Sequence, residues 1–308
     1  MTDSAAVAIL GVFVADAAFR AERPPRPGET LLGNAFALGP GGKGSNQAVA
    51  AARLGARVTF ISKLGDDAFA DLAMQTWADA GVTPAVQRDA DTYTGAACIY
   101  IEEASGENAI IICPGAAGTI SPADVEAQAA QIRAASVFVT QLEQPVPAAR
   151  RGLEIAREAG VTTVFNPAPA SSLDDGLLSL CDYVTPNETE AADLTGMPVE
   201  TAEQARAAAE ALIRRGAGAA VITLGERGAL IHDGAGCELV PAFDAGAVVD
   251  TTGAGDAFNG AFAVALARGE TPVTAVRFGC AAAALSVTRA GTALSMPYEE
   301  EVEALLGA

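Results

Sequence analysis

Apolar runs alternate with amphipathic stretches along most of this chain. Six short runs rich in Val, Ile and Thr are typical of buried strands: VAILGVFV, RVTFISKLG, SVFVTQLE, VTTVFN, DYVTPN and AAVITLG. Helical patterns lie between them, for example at residues 66–81, 145–160 and 201–218, the last two with basic residues and Gly near their ends. This alternation predicts an α/β fold with a doubly wound, mostly parallel sheet flanked by helices.

Two segments depart from the alternation. Residues 17–38 are rich in Pro and Gly and lack helical periodicity, and residues 94–113 are typical of a hairpin that turns at ASGEN. We predict a small separate sheet, built from about residues 15–40 and 92–114, at one edge of a single domain spanning residues 1–308. This sheet could be a lid over a site, an edge cover or a dimer contact.

Charge and composition narrow the possible partners. The chain has 308 residues, 50% of them hydrophobic, which is enough for a large core. A formal net charge of -19 argues against nucleic acid, whose binding requires clustered Lys and Arg. The first apolar run, AAVAILGVFVA, is about half a membrane span and predicts a buried strand, so we expect no membrane partner. A bound phosphate would need local backbone N–H donors.

Several familiar chemistries are excluded. Five widely spaced cysteines without a C-x-x-C pair predict reduced thiols and a cytoplasmic protein. His232 is the only histidine, which excludes His-based zinc sites and His-dependent triads within this chain. A P-loop is absent because Ala37 and Gly44 stand where it needs Gly and Ser or Thr, and no G-x-G-x-x-G follows the first strand.

The stretch VVDTTGAGDAFNG, residues 248–260, enters a predicted helix through a glycine turn. Glycines let successive N–H groups face one concavity, and a helix N-terminus adds partial positive charge, so this turn is typical of an anion site. Asp256 stands where the helix is expected to begin. It could serve chemistry at this turn or could simply cap the helix.

Two further turns carry polar side chains into a first helical turn. One, in GPGGKGSNQAVAAARLG, suits a hydroxyl-rich ligand or merely precedes a packing helix, and it holds Lys43, Ser45, Asn46 and Gln47. The other, TPNETEAADLTG, places Asn187 and Glu190 on one face of a helical turn, where they could bind a ligand or form a capping box.

Five segments occur in a characteristic order and spacing: GGKGSNQAVAAARLG, NPAPA, TPNETEA, ITLGERG and DTTGAGDAFNG. Together they resemble the ribokinase/PfkB family of sugar kinases, and the resemblance extends from about Ala8 to Tyr298. It implies transfer of the γ-phosphate of ATP, with Mg²⁺, to the primary hydroxyl of a pentose, D-ribose first. Deoxyribose, a nucleoside or a ketohexose are alternatives, and a sensor of sugar or nucleotide that lost catalysis is an alternative of another class.

The resemblance implies how the glycine turn works. Asp256 matches the family's catalytic base, which accepts the proton of the attacking hydroxyl. The N–H groups beside it match the anion hole for the transferring phosphoryl group, and they belong to Gly253, Ala254 and Gly255. Phosphoryl transfer independently requires in-line positioning and preorganised donors of this kind.

The resemblance also implies the ligand contacts. The nucleotide-binding positions are Asn187, Thr223, Leu224, Gly225, Glu226, Arg227, Gly228, Gly255 and Cys280. The sugar-binding positions are Asp16, Gly42, Lys43, Asn46, Glu143 and Asp256. Val14 occupies a further sugar position, where the family usually carries an asparagine. Asn187 and Glu190 match an element that holds Mg²⁺ through its waters.

The family resemblance further implies a monovalent cation and a dimer. The cation, K⁺, would lie behind the anion hole, with ligands from Asp250, Thr252, Ser286, Arg289, Gly291 and Ser295. An all-oxygen set suits a hard cation, although Asp250 could merely cap a turn. The homodimer would form through the small sheet.

Overall fold

The chain folds around a large sheet covered by helices on both faces. A computed structural model describes residues 5–170 and 173–307. In chain order its strands are β1 (Ala6–Leu10), β2 (Val14–Ala21), β3 (Ala35–Gly41), β4 (Arg57–Leu64), β5 (Thr83–Arg88), β6 (Thr94–Glu102), β7 (Asn108–Gly115), β8 (Val137–Thr140), β9 (Thr162–Phe165), β10 (Tyr183–Val184), β11 (Ala219–Thr223), β12 (Ala229–His232) and β13 (Cys237–Val240).

The helices follow the predicted alternation closely. They are α1 (Lys43–Arg53), α2 (Ala68–Ala80), α3 (Pro122–Glu126), α4 (Ala129–Arg133), α5 (Val146–Glu158), α6 (Asp175–Leu178), α7 (Glu188–Thr195), α8 (Ala202–Arg214), α9 (Ala254–Ala267), α10 (Pro272–Ser286) and α11 (Glu299–Leu306). The three helical patterns identified in the sequence correspond to α2, α5 and α8. No described helix combines the length and apolar character that crossing a membrane requires.

The large sheet has the order β13-β12-β11-β10-β9-β8-β1-β4-β5. Pairing is parallel from β11 to β5, and β12 and β13 add an antiparallel hairpin at one edge. The prediction of a mostly parallel sheet is therefore confirmed. The alternation does not predict the two edge elements, because β5 is polar and contains Pro84, and ALIH and CELV are short.

Strand β1 shows why helices cover both faces. Val7 and Ile9 belong to the hydrophobic core shared with α1, α2, α9 and α10, whereas Ala8 and Leu10 belong to the core shared with α5 and α8. Alternate side chains of a strand point to opposite faces, so a strand that is apolar throughout must be buried twice. On the first face α1 and α9 lie very close, because a Cβ at Gly260 would lie 2.7 Å from the Ala50 Cβ.

Both irregular segments join in one small sheet of order β3-β2-β6-β7, as predicted. Strand β2 begins at Val14, which is buried against the main domain and pairs with Gly41, and it continues to exposed Phe19. The small sheet thus extends outward from the carboxyl end of β1. Its role as a lid stays a prediction.

Candidate active site

Polar residues follow several strands of the large sheet at their carboxyl ends. Gln141 follows β8, Asn166 follows β9 and Thr185 follows β10, and all three are buried. Ligands of open α/β sheets bind in the crevice outside these strand ends. The first turns of α1 and α9 lie next to each other: two side chains of α1 donate hydrogen bonds to Asp256 in the first turn of α9.

Asp256 faces α1 rather than its own helix end. Helix α9 begins at Ala254 after Gly253, whose φ of 83° is in the left-handed region that favours glycine. The buried Asp256 carboxylate accepts hydrogen bonds at Oδ2 from Asn46 Nδ2 (2.9 Å) and at Oδ1 from Gln47 Nε2 (3.1 Å). No side chain caps α9, so the capping explanation for Asp256 is wrong.

Burial governs the proton affinity of Asp256. Desolvation raises its pKa, although Lys43 and the hydrogen bonds from Asn46 and Gln47 act in the opposite direction. A carboxylate with a raised pKa is a better base than an exposed one. Asp256 can therefore accept a proton from a bound alcohol.

Three backbone donors of the turn at Asp256 have no partner. Among the described residues, the N–H groups of Gly253, Gly255 and Asp256 make no hydrogen bond within the protein. The Ala254 N–H differs from the expectation, because it bonds to the Thr251 carbonyl at 3.2 Å. Free donors at a helix N-terminus attract anions, so this turn can hold a phosphoryl group.

Three acidic or basic groups predicted to contact sugar lie together at the start of α1. The Lys43 N–H donates to Glu143 Oε2 at 2.7 Å. Burial raises the pKa of Glu143 to about 7, with Lys43 acting in the opposite direction. Burial also raises the pKa of Asp16 to about 6. Lys43 stays charged, because Asp256, Glu143 and Glu190 raise its pKa by more than burial lowers it.

Glycines at the junction with the small sheet make room for Asp16. A Cβ at Gly41 would lie 2.1 Å from Asp16 Oδ2, so only glycine fits there while the carboxylate keeps its position. Gly42, the next residue, precedes α1 with a φ of 90°. Sequence reasoning assigns Gly42 but misses Gly41, because the contact depends on how β2 pairs with β3.

One polar residue of the α1 turn lies outside the crevice. Ser45 is fully buried, and its Oγ accepts from Trp77 Nε1 at 2.9 Å, so it supports core packing. Asn46 and Gln47 instead face Asp256. Two side chains of this turn therefore lie at the Asp256 carboxylate, and their contact with a ligand stays a prediction.

The predicted nucleotide loop lies beside the Asn187 turn. Thr223 ends β11, and its N–H donates to the Pro186 carbonyl at 3.0 Å. A single-turn helix spans Gly225–Arg227, and Arg227 pairs with Glu188 at the start of α7. This loop also contains Leu224, Glu226 and Gly228. Cys280 is buried within α10, and its contact with an adenine stays a prediction.

Asn187 and Glu190 form the capping box that was the simpler alternative. Asn187 Oδ1 accepts from the Glu190 N–H at 2.8 Å, and Glu190 Oε2 accepts from the Asn187 N–H at 2.9 Å. Burial raises the pKa of Glu190. Its other oxygen, Oε1, has no partner among the described residues, so the box still leaves one carboxylate oxygen for the water of a metal ion.

Asp250 joins the two segments predicted to hold a monovalent cation. Its Oδ1 accepts from the Thr252 N–H (2.9 Å) and its Oδ2 from the Gly291 N–H (3.1 Å). Ser295 Oγ donates to the Thr292 carbonyl in the same region. Asp250 thus does fix a turn, and it links that turn to Gly291. The binding of a cation by these residues, and by Ser286 and Arg289, stays a prediction.

Comparison with known proteins decides the family. A family model described as pfkB family carbohydrate kinase matches residues 4–299. The chain belongs to the pfkB family of carbohydrate kinases. The ribokinase of Haemophilus influenzae is 40% identical over 294 residues, 95% of each chain. The deoxyribokinase of Salmonella typhi is 39% identical over 297 residues, 96% of each chain. The structure of Arabidopsis thaliana ribokinase complexed with ribose and ATP matches with a TM-score of 0.93 and 32% identity, over 99% of each chain.

The resemblance, the ribokinase-like fold and the enzyme class predicted from the sequence are therefore confirmed for this pfkB-family kinase. The kinase also holds buried polar residues that sequence reasoning does not assign, namely Gln141, Asn166, Thr185 and Asn259. One signal is visible in the sequence: Asn259 is followed by a run of apolar residues in α9, where a buried amide must find a partner. The identity of that partner requires the fold.

Proposed function

We propose that this kinase transfers the γ-phosphate of ATP to the primary hydroxyl of D-ribose, which yields ribose 5-phosphate. The observation that carries the proposal is the buried Asp256 carboxylate, held by two amides of α1 beside the free N–H groups of α9. Its ribokinase relatives, one of them with ribose and ATP bound, support the choice of substrates.

Each part of the crevice has a task in this reaction. Asp256 accepts the proton as the hydroxyl oxygen bonds to the γ-phosphorus, and the N–H groups of Gly255 and Asp256 stabilise charge on its oxygens. Asp16 and Glu143 accept hydrogen bonds from sugar hydroxyls, because buried carboxylates discriminate well between hydroxyl arrangements. Lys43 offsets the negative charge that Asp256, Glu143 and Glu190 concentrate here.

Two cations complete the proposal. Mg²⁺ with its waters would be held through Glu190 Oε1 and Asn187, and it would neutralise charge on the ATP phosphates. K⁺ would be held by the oxygens around Asp250. If the K⁺ site acts, activity in a buffer free of both sodium and potassium should rise when potassium is added, and equal rates would remove this site from the proposal.

The experiment that tests the substrate is a panel of acceptors. Purified protein with ATP and Mg²⁺ is offered D-ribose, deoxyribose, nucleosides and ketohexoses, and ADP release is measured together with the mass and phosphorus NMR spectrum of the product. We expect D-ribose to react best and to carry phosphate on its primary hydroxyl. If the protein binds sugar or nucleotide but releases no ADP with any acceptor of the panel, the sensor alternative would be favoured instead.

A second candidate substrate, deoxyribose, rests on Val14. This buried side chain stands where an asparagine could bond a ring hydroxyl, two residues before Asp16 and opposite Gly41. Loss of that contact would reduce the discrimination against a missing hydroxyl by about 1–2 kcal/mol, or roughly tenfold in kcat/KM. The deoxyribokinase of Salmonella typhi supports this second candidate, because it is 39% identical to this chain, about as similar as the ribokinase of Haemophilus influenzae at 40%.

Val14→Asn tests this second candidate. If Val14 sets the preference, the substitution should raise the ratio of kcat/KM for ribose over deoxyribose by roughly tenfold. An unchanged ratio would mean that a neighbouring residue or a water molecule already supplies the bond, and that ribose needs no contact from this position.

We propose that two copies of the chain associate through the small sheet. The strand register places Phe19, Phe36, Leu38 and Ile111 on the face opposite Asp16, and all four are exposed by 46% or more. A contiguous apolar patch of this kind marks an association surface. Phe36→Asp should convert a dimer into a monomer in light scattering after size exclusion, whereas a wild-type monomer at assay concentration would exclude the dimer.

All five cysteines are free, which supports a reducing, cytoplasmic location.

A further inference from the structure

A ring of buried hydrogen bonds lies directly behind the Asp256 carboxylate. Gln47 Nε2 lies within donor distance of two oxygens, Asp256 Oδ1 (3.1 Å) and Asn166 Oδ1 (3.2 Å). Asn166 in turn donates from Nδ2 to the Thr185 carbonyl at 2.9 Å. These bonds connect α1, the end of β9 and the end of β10 to the reacting carboxylate.

The ring closes on the residue next to Asp256. The Thr185 hydroxyl donates to Asn259 Oδ1 at 2.6 Å, and Asn259 Nδ2 donates to the Gly255 carbonyl at 2.8 Å. Gly255 is also one of the residues of the anion turn whose N–H is unpaired within the described part of the chain. The carboxylate and the anion turn are therefore oriented by one connected set of buried bonds.

Gln47 is the point at which the ring holds the carboxylate. Its side chain is fully buried, and its Oε1 accepts from Gln141 Nε2 at 2.6 Å. A flip of the Gln47 amide would place its oxygen against the oxygens of Asp256 and Asn166, and both hydrogen bonds to them would be lost. Gln47 must therefore present N–H to Asp256, and Gln141 and Asn166 enforce that orientation.

The other carboxylate oxygen of Asp256, Oδ2, lies beside a side chain with an unpaired acceptor. Asn46 bonds to Asp256 Oδ2 through its Nδ2, and its own Oδ1 has no partner among the described residues although it is buried. Unpaired acceptors on this side suit the hydroxyl groups of a sugar. Each oxygen of Asp256 thus accepts one hydrogen bond, Oδ1 from the fully buried Gln47 and Oδ2 from Asn46. Oδ2 lies on the side of Asn46, a predicted sugar-binding residue, so it is the oxygen that we assign to the reacting hydroxyl.

We propose that Gln47 is a positioning residue for phosphoryl transfer, holding Oδ1 of Asp256 so that Oδ2 receives the proton of the attacking hydroxyl. This inference rests on the proposed kinase reaction. In that step the hydroxyl oxygen bonds to the γ-phosphorus, the bond from that phosphorus to the bridging oxygen breaks with its electron pair leaving on ADP, and the hydroxyl proton passes to Oδ2.

The charged groups around Asp256 allow a clean test of this role. Lys43 on α1, Glu143 after β8 and Glu190 on α7 all influence the carboxylates of this crevice. Gln47→Met keeps the size of the side chain and leaves these charges unchanged, while it removes the N–H that favours the ionised form of Asp256. The acid limb of the kcat profile should therefore move to higher pH.

The main measurement separates kcat from KM. We expect Gln47→Met to lower kcat by about 10- to 100-fold, because small misplacements of a reacting group have effects of that size. The KM for the sugar should change by less than about threefold, since the predicted sugar contacts remain. Ser45→Ala is the control on the same helix: it removes a buried bond to Trp77 and should leave the acid limb in place.

A double variant distinguishes positioning from general support of the fold. If Gln47 acts through Asp256, Gln47→Met should slow an Asp256→Asn enzyme by less than about threefold, whereas independent effects would multiply. An acid limb identical to wild type, or fully multiplicative losses, would overturn the inference. High activity of Asp256→Asn alone would instead overturn the proposed reaction.

A second variant covers the case in which Gln47→Met does not fold. Gln141→Met keeps both contacts of Gln47 Nε2 but frees its Oε1 from the bond that fixes the amide. We expect a shift of the acid limb in the same direction and a smaller loss of kcat. No shift in this folded variant would show that the amide orientation is irrelevant to Asp256.

Discussion

Helices α8 and α9 have similar lengths but begin in opposite ways. Thr201 precedes α8, accepts from the Gln204 N–H and completes a capping box with the Gln204 side chain. Gly253 precedes α9 and offers no side-chain cap, and the N–H groups of Gly255 and Asp256 stay unpaired within the described part of the chain. Helix α8 satisfies its own first turn, whereas α9 leaves donors for a ligand.

This difference separates stability from function. A side-chain cap contributes about 1 kcal/mol to a helix, and α9 forgoes it. Helix α9 is instead held by its surroundings, since residues 256–265 are buried. The first turn of a helix can remain open for an anion when burial of the rest of the helix supplies the stability.

Asp256→Asn should break the function of α9 without breaking the helix. Asparagine can still accept a hydrogen bond from Asn46 or Gln47, but it cannot take a proton, so we expect kcat to fall by about 10²- to 10⁴-fold. Nucleotide binding and the unfolding temperature should stay close to wild type. Turnover near the wild-type rate would remove Asp256 from the mechanism.

Gly255→Ala should change stability and activity in opposite directions. A Cβ there would meet no atom within 4 Å, and alanine favours a helix by about 0.5–1 kcal/mol over glycine. The new methyl group would nevertheless crowd the phosphoryl group, and we expect kcat to fall at least about tenfold, given the rate losses typical of impaired anion holes. Thermal unfolding and steady-state rates measured on one preparation test both signs, and full activity would place the phosphate elsewhere.

The start of α1 is an intermediate case, because its Lys43 N–H is bonded to Glu143 from a distant segment. Burial raises the pKa of Glu143 from 4.5 to about 7, so lowering the pH from about 8 to about 6 protonates much of it. The KM for the sugar should then rise several-fold, as an acceptor for its hydroxyls is lost.

Protonation of Glu143 should have the opposite effect on folding: it stabilises the fold, whereas it weakens sugar binding. Because the folded pKa of Glu143 lies above the unfolded value, its contribution to stability is complete below about 4.5 and is lost as the pH rises through about 7. Glu143→Gln should remove both the pH dependence of the KM for the sugar and this contribution to the pH dependence of stability. A KM for the sugar that does not vary with pH in the wild type would exclude Glu143 from sugar binding.

Thr201→Ala should affect α8 alone and gives the smallest effect. Loss of the cap should lower the free energy of unfolding by about 1 kcal/mol, while kcat and KM stay at wild-type values because α8 begins with a self-contained cap. Chemical denaturation and steady-state kinetics check the two halves. A change in kcat would show that the two helix starts are coupled.

A local pattern determines these two helix starts unequally well. The sequence analysis predicts the helix at 201–218 without its cap, although Thr201 and Gln204 have the spacing of a capping box, which is a local feature. The glycine turn before Asp256 is equally visible, but the pattern leaves open whether the acid caps the helix. That choice depends on Asn46 and Gln47, which lie about 210 residues away in the chain. Contacts across such separations follow only from the assembled sheet.

Other features show the same limit. The doubly wound sheet and the small sheet follow from hydrophobic patterns, and the family follows from five local motifs. By contrast, the need for glycine at position 41 depends on a carboxylate from the neighbouring strand, Asp16. The ring through Asn166 and Asn259 joins strand ends to α1 and α9, which are far away in the sequence. Local rules describe elements, whereas these sites arise between elements.

The close approach of α1 and α9 at Gly260 limits how this enzyme can diversify. The Gly260 backbone lies against Gln47 and Ala50, so any larger side chain there would separate the two helices that orient Asp256. Evolution or engineering can therefore alter this unit only with several compensating changes. Strand β2 is less restricted after its first two residues, which are buried, because Asp16 to Ala18 are half-buried and Phe19 and Arg20 are exposed. New sugar preferences should accordingly arise at the small sheet, at Asp16 and the residues that follow it, while the phosphoryl-transfer apparatus is inherited intact.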